Sequence, residues 1–206
     1  MRLLHATIPL VVMSTAGSVR ADSFAEVLGG ISIPVGDTNW TNNAETSPKI
    51  GARVGGVGDS GLGGMLQFDW TPVNLDASGG SFGIGSADIA GHRFRFLGDL
   101  VVHHPVTPKL VLSARVGAGV DLAHASATVT ILGNTTTTSD TNAGFAFELG
   151  GGIWYDLGGV QLGGELALPI AAHSKHGTGA DGNYTFDYTS YDIDLLFGVR
   201  LFSGRT

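Results

Sequence analysis

The chain contains eight segments in which apolar and polar residues alternate, and the connections between these segments are alternately long and short. The long connections cover residues 36–48, 71–91, 123–142 and 171–186, and the short ones cover residues 58–61, 105–108 and 156–159. A ladder of hairpins that turns tightly at one side and loosely at the other has two different ends. We therefore predict an antiparallel meander of eight strands whose two ends face different surroundings.

Within each segment, large apolar residues share one parity and small or ionisable residues share the other. In the third segment, Leu66, Phe68 and Trp70 alternate with Gln67 and Asp69. This alternation is typical of β-strands with one apolar face. The segments run to about 10 to 13 residues, longer than the usual soluble strand and sufficient for a tilted strand to cross hydrocarbon. The sequence therefore predicts an all-β fold, an eight-stranded antiparallel up-and-down transmembrane β-barrel.

The composition of the chain narrows its possible partners. Charged residues make up only 14% of the sequence, and there is no cysteine. A disulfide framework, a zinc-thiolate site and a lipid-anchored cysteine are thereby excluded. The formal net charge is −7 and no basic stripe is present, so nucleic acid is not an expected partner.

The first 21 residues have the features of a secretory signal peptide. Arg2 supplies a positive charge, residues 3–13 form an apolar stretch, and Ala21 ends a small-residue cleavage site. We therefore predict that residues 1–21 direct export and that residues 22–206 form the barrel domain.

The positions that should face the inside of the barrel are occupied by ionisable residues, with glycines between them. Because unpaired buried charges would cost several kcal/mol each, we predict that they pair in the lumen and have a structural role. The predicted network contains Glu26, Arg53, Asp69, Arg95, Asp99, Arg115, Glu148, Glu165, Asp194 and Arg200; Lys49, Arg93, Asp121 and Asp192 share its parity. Side chains just about fill an eight-stranded barrel, so an open channel is not expected, although the sequence leaves a narrow gated pore open as an alternative.

Four segments rich in glycine and aromatic residues carry a resemblance to known proteins. They are GGMLQFDW at 63–70, VGAGV at 116–120, FELGGG at 147–152 and FGVRLF at 197–202. From about Phe24 to Phe202 the chain resembles the small eight-stranded outer-membrane β-barrels, a group that includes the OmpA transmembrane domain, OmpX and the opacity-like proteins. The resemblance implies a place in the outer membrane of a Gram-negative bacterial envelope, with outer-membrane lipid around the barrel, and we expect a monomer.

Candidate catalytic and metal-binding residues are few. The segment 173–176 (His-Ser-Lys-His) and Glu165 provide the residue types that activate a hydroxyl, but His173 and Ser174 should point to opposite faces of their strand. The histidines in this segment are three apart, a spacing that suits a helix better than a loop, and we expect His103 and His104 at the membrane interface. We therefore expect no catalytic residue, no cofactor and no metal.

Three functional hypotheses follow from the sequence. The first is a non-enzymatic integral outer-membrane barrel with a structural or surface-interaction role, in which four long extracellular loops bind an unknown partner. The second is a deacylase-like enzyme that modifies membrane lipid, for which Ser174 and a histidine would have to converge. The third is a soluble lipocalin-like barrel that binds an apolar ligand, with its apolar residues inward and its charges outward. Strand length and the asymmetry of the connections favour the first.

Overall fold

The computed structural model describes residues 22–36, 44–74, 85–132, 134–179 and 182–203. The predicted signal peptide lies outside these residues. The described part of the chain consists of eight strands: β1 Asp22–Val35, β2 Ser47–Val57, β3 Leu62–Asn74, β4 Gly85–Thr107, β5 Leu110–Ile131, β6 Asn134–Asp156, β7 Val160–Gly179 and β8 Gly182–Ser203. None of these residues forms a helix long and apolar enough to cross a membrane.

The eight strands form one closed antiparallel barrel in chain order. Each strand pairs with the next, and β1 closes the ring by pairing with β8, where Phe24 lies opposite Phe202 and Val27 lies opposite Val199. Closure leaves the barrel wall without an open sheet edge. The predicted fold class is confirmed.

The two faces of the wall differ as the alternation predicts. Outward positions carry exposed apolar side chains, and Leu66, Val116 and Phe197 are 67%, 38% and 72% exposed. Inward positions carry the buried charges described below. A soluble lipocalin-like barrel needs the reverse arrangement, so the third hypothesis is wrong.

Three tight turns lie at one end of the barrel, which we call the short-turn end. Residues Gly61, Gly158 and Gly159 have positive φ angles of 78°, 92° and 99°, which glycine adopts without steric cost. The ends of β1 and β8 at Asp22 and Ser203 also lie here, opposite or beside these turns in the register. The predicted positions of the short connections are confirmed, except that β4 continues through the second one to Thr107.

At the opposite end, two of the predicted long loops are in fact mostly strand. In the third, β5 and β6 pair without a break from Ala123↔Asn142 to Ile131↔Asn134. In the fourth, β7 and β8 pair from Ala171↔Ser190 to Gly179↔Gly182. The third connection forms strand because threonine is β-branched and its hydroxyls pair across the hairpin: Thr128 with Thr137 at 3.1 Å and Thr130 with Thr135 at 3.0 Å.

Candidate functional site

Among residues whose side chains the structure describes, six cationic and eight carboxylate side chains are buried in the lumen of the barrel. They are Lys49, Arg53, Arg93, Arg95, Arg115 and Arg200, and Glu26, Asp69, Asp99, Asp121, Glu148, Glu165, Asp192 and Asp194. All ten residues of the predicted network are among them. The charges come from all eight strands, because each strand places its inward parity on the same enclosed space.

Arg200 occupies the layer nearest the short-turn end. Its guanidinium carbon lies 3.9 Å from the ring centroid of Trp154, a cation–π geometry. The same guanidinium donates to Glu26 and, at 3.2 Å, to Oε1 of Gln161. The Trp154 indole N–H in turn donates to the Ser113 hydroxyl at 3.0 Å. Arg200 is therefore held by an aromatic face and two oxygen acceptors.

The middle layer is built around two arginines that share one carboxylate. Arg53 donates to both oxygens of Glu165 at 2.8 Å and to Glu26 at 3.2 Å. Arg115 donates to the same Glu165 at 2.6 and 2.9 Å. It also contacts Glu148, and it donates to Asp99 at 3.2 Å. Two parallel N–H to oxygen bonds fix the relative orientation of Arg53 and Glu165.

Above these arginines, Lys49 sits between two aspartates. Its ammonium lies 2.8 Å from Asp69 and 2.5 Å from Asp194. Arg95 bridges Glu148 at 3.1 Å and Asp121 at 3.0 Å, so this layer is joined to the middle one through Glu148. The pairing is continuous across layers, and no predicted residue stands apart from it.

The top layer is centred on Arg93, which the ten-residue prediction omits. It donates to Asp192 at 2.7 Å, to Asp121 at 3.0 Å and to the Ser190 hydroxyl at 2.9 Å. Beside it the buried ring of His173 stacks on Tyr188, with centroids 4.6 Å apart and planes 5° apart.

Sequence reasoning also missed the uncharged members of the network. Gln67 donates to Asp69 at 2.6 Å and to Glu148 at 3.0 Å, and Gln161, Ser190 and Trp154 contact arginines. These residues could have been found from the alternation, because they occupy inward-facing positions just as the charged residues do.

Glycines make room for the paired side chains. A Cβ placed on Gly117 would collide with the Asp99 carboxylate, and one on Gly150 would lie 2.8 Å from Nε of Arg115. A Cβ on Gly51 would lie 2.7 Å from Asp69. Real Cβ atoms do not approach other atoms this closely, so a larger residue at these positions would displace the charged side chain of the paired residue on the neighbouring strand.

An apolar cluster closes the lumen at the short-turn end. It consists of Phe24, Val57, Met65 and Val101, with Phe202 packed against it. The His103 ring lies 5.5 Å from that of Phe24 and is buried, whereas His104 is exposed on the outer face. The expectation that both histidines lie at the interface is therefore wrong for His103, because adjacent strand residues face opposite sides.

His173 and Ser174 do not converge, and the side chains of Lys175 and His176 lie outside the described part of the chain. His173 is 3% exposed inside the lumen, whereas Ser174 is exposed on the outer face of the same strand. The nearest carboxylate to His173 is that of Asp121, 3.5 Å from Nε2, and it already binds two arginines. Within the described ranges, no group of three or more histidine, aspartate or glutamate residues could hold a metal ion.

The outward face carries an apolar belt with a sharp upper boundary. Phe68, Phe96, Val120 and Phe145 form one row across β3 to β6, and Trp70, Phe94, Leu122 and Ala143 form the next. The following row, further from the short-turn end, is Pro72, His92, His124 and Thr141. Outward residues on β5 and β6 beyond this row are mainly serine and threonine. The change from apolar to polar residues therefore takes place between two adjacent rows.

Solved structures share this architecture. No protein-family model matches the sequence, and no curated protein matches it. A major outer membrane protein from Thermus thermophilus has a similar fold, with a TM-score of 0.57 and 13% identity over 89% of this chain and 99% of that one. Ail, the attachment invasion locus protein of Yersinia pestis, solved in complex with the heparin analogue sucrose octasulfate, has a TM-score of 0.50 and 12% identity over 88% of this chain and 99% of that one. The fold is that of the small outer-membrane β-barrels, and the resemblance seen in the sequence is confirmed at this level.

Proposed function

We propose that this protein is an integral outer-membrane protein that performs no chemistry and serves as a structural or surface-contact protein. The apolar belt carries the proposal. On β5 its outward residues are apolar from Leu110 to Leu122, twelve residue steps. At about 3.3 Å per residue and a tilt of about 40°, these steps span about 30 Å along the barrel axis, enough to cover the lipid-facing band of about 25 Å of outer-membrane barrels.

The distribution of charge supports the same conclusion. Among strand residues whose side chains the structure describes, every lysine, arginine, aspartate and glutamate of the belt region points into the lumen. Charge on the lipid face of such a barrel costs about 2–4 kcal/mol at the membrane midplane for arginine or lysine. Trp70 and Tyr191 near the upper boundary and Tyr155 near the lower one are suited to the two membrane interfaces.

The contact surface in this proposal is the part of the barrel beyond the belt, which we call the extended sheet. It comprises residues 85–91 of β4, 123–131 of β5 and 134–143 of β6. β4 extends beyond β3, whose last pair is Asn74↔Ala90, and β6 separates from β7 beyond Gly144↔His173, where β7 continues in its own hairpin with β8. Hydroxyl-rich strands held clear of the membrane provide hydrogen-bonding groups for a partner outside the cell.

The orientation in this proposal places the short-turn end in the periplasm and the extended sheet outside. Short periplasmic turns and longer extracellular segments are the usual asymmetry of outer-membrane barrels. Export through the predicted signal peptide is part of the proposal, and N-terminal sequencing of the mature protein should begin at Asp22.

Gel migration before and after boiling tests the proposal on protein from a sedimented membrane fraction. We expect a heat-dependent shift, because a closed barrel resists detergent until it is heated. Protein found only in the soluble periplasmic fraction would contradict membrane insertion.

A pair of variants locates the belt in the same assay. Val120→Asp places a carboxylate within the belt and should reduce the heat-shifted, membrane-bound fraction, whereas Thr128→Asp, further along β5 in the extended sheet, should leave it unchanged. Equal behaviour of the two variants would show that the boundary is not a membrane boundary.

A further inference from the structure

An open groove crosses the outward face of the barrel near the short-turn end. Its volume is about 750 Å³, within the range of small-molecule sites. Three small outward residues on adjacent strands, Ala114, Gly151 and Gly164, line its floor. Ala114 lies opposite Gly151 in the register, so the floor is continuous from β5 to β6.

The walls of the groove are apolar and uneven in height. Leu112 and Leu166 border the floor, and both are more than 40% exposed. Phe197 lies opposite Gly164 and stands 72% exposed, with its ring 3.3 Å from the position a Cβ on Gly164 would take. A flexible, unbranched hydrocarbon chain fits a shallow channel of this kind.

Basic groups lie at the end of the groove that faces the short-turn end. His104 lines the groove and lies opposite Leu112. Lys109 follows in the β4–β5 turn and is the one lysine or arginine outside the lumen among residues whose side chains are described. Within that part of the chain, its ammonium group makes no hydrogen bond or ion pair.

A second depression of about 610 Å³ surrounds Lys109 and the glycines of the β6–β7 turn. Its one carboxylate is Asp156, which accepts from the Gly158 N–H at 2.7 Å and from Gln161 at 3.3 Å. Asp156 thus has partners within its own turn and strand, and Lys109 is exposed. One row, Leu110 and Tyr155, separates this depression from the groove.

We propose that the groove and Lys109 together bind one anionic glycerophospholipid of the periplasmic leaflet. An acyl chain lies on the floor formed by Ala114, Gly151 and Gly164, and the phosphate lies at Lys109 with His104 beside it. The choice of an anionic lipid rests on charge complementarity with Lys109, since one lysine at an anionic lipid surface contributes about 1 kcal/mol. The site rests on the proposed membrane insertion.

Lipid retention by the full-length mature barrel tests the site. The protein is reconstituted into vesicles of equimolar phosphatidylglycerol and phosphatidylcholine and extracted in mild detergent, and the retained lipids are counted by native mass spectrometry. We expect about a fivefold preference for phosphatidylglycerol, the factor that corresponds to one lysine contact. Equal retention of the two lipids by a barrel that shows the heat-dependent shift would overturn the site and leave the proposed function standing.

Two matched controls separate a site from general lipid adhesion. Gly151→Leu fills the floor and should abolish most retention, whereas Gly98→Leu, on the outer face of β4 where a Cβ would meet no atom within 4 Å, should not.

Lys109→Asp combined with Asp59→Lys conserves net charge while moving the cation to another turn, and it should remove the preference for phosphatidylglycerol. Equal loss from both leucine variants, or a preference that survives the exchange, would overturn the site. A wild-type barrel that never inserts would overturn both the site and the proposed function.

Discussion

The Arg200 guanidinium stacks on the Trp154 indole at 3.9 Å while donating to Glu26. Both side chains are at most 2% exposed, so the arginine gives up its water shell and regains contacts from the ring, Glu26 and Gln161. These contacts hold the charge of Arg200 directly beside the apolar cluster that closes the lumen.

Replacing Trp154 should therefore destabilise the barrel in two separable amounts. Trp154→Phe keeps an aromatic face but loses the indole hydrogen bond to Ser113, which should cost about 1 kcal/mol. Trp154→Leu also removes the ring beneath Arg200 and leaves a cavity, which should cost about 3 kcal/mol. Reversible urea unfolding in lipid vesicles measures both. Equal losses for the two variants would show that the cation–π contact contributes nothing.

The shared carboxylate of Glu165 predicts strongly non-additive mutations. Arg53→Met leaves Glu165 and Glu26 short of a partner in the lumen and should cost about 3–5 kcal/mol. The double variant Arg53→Met with Glu165→Leu removes both members of the pair, while Arg115 keeps Glu148 and Asp99. We expect the double variant to lose less than the sum of the two single losses. Strict additivity in a double-mutant cycle would mean that the pair is not coupled.

Gly117 offers a test of the close approach between backbone and carboxylate. A methyl group there meets the Asp99 side chain, so Gly117→Ala should displace that carboxylate from Arg115 and lower the free energy of unfolding by about 1–3 kcal/mol. Gly98→Ala is the matched control on the adjacent strand, because a Cβ there meets no atom within 4 Å. The control should be neutral or slightly stabilising, since alanine loses less backbone entropy than glycine on folding.

The barrel and the faces of its strands could be predicted from the sequence because a period of two is a local property. Leu66 and Gln67 show it within one strand, and no knowledge of their neighbours is needed. The lengths of the strands could not be predicted from this alternation. Residues 134–143 are polar enough to resemble a loop, yet their threonines pair across the hairpin with those of β5 and keep it in sheet.

The ion-pair partner of each charged residue depends on the three-dimensional arrangement of the strands, which cannot be predicted from the spacing of residues in the sequence. Arg53 on β2 meets Glu165 on β7, 112 positions away along the chain, because both reach across the lumen from non-adjacent strands. Parity places each of them inside, but an inward side chain of a narrow barrel can reach several strands. Only the register and the strand stagger decide which carboxylate each arginine meets.

Leu132 predicts a stabilising substitution in the turn of the extended sheet. It is 77% exposed and has a φ angle of 51°, in the left-handed region that costs a residue with a Cβ about 1 kcal/mol. Leu132→Gly should therefore raise the free energy of unfolding by a few tenths of a kcal/mol to about 1 kcal/mol. Leu157→Gly is the control, because Leu157 is also exposed in a turn but is not among the residues with positive φ, and this change should destabilise the barrel slightly. Urea unfolding of the two variants in the same vesicles compares them directly, and a loss of stability in Leu132→Gly would contradict the strained turn.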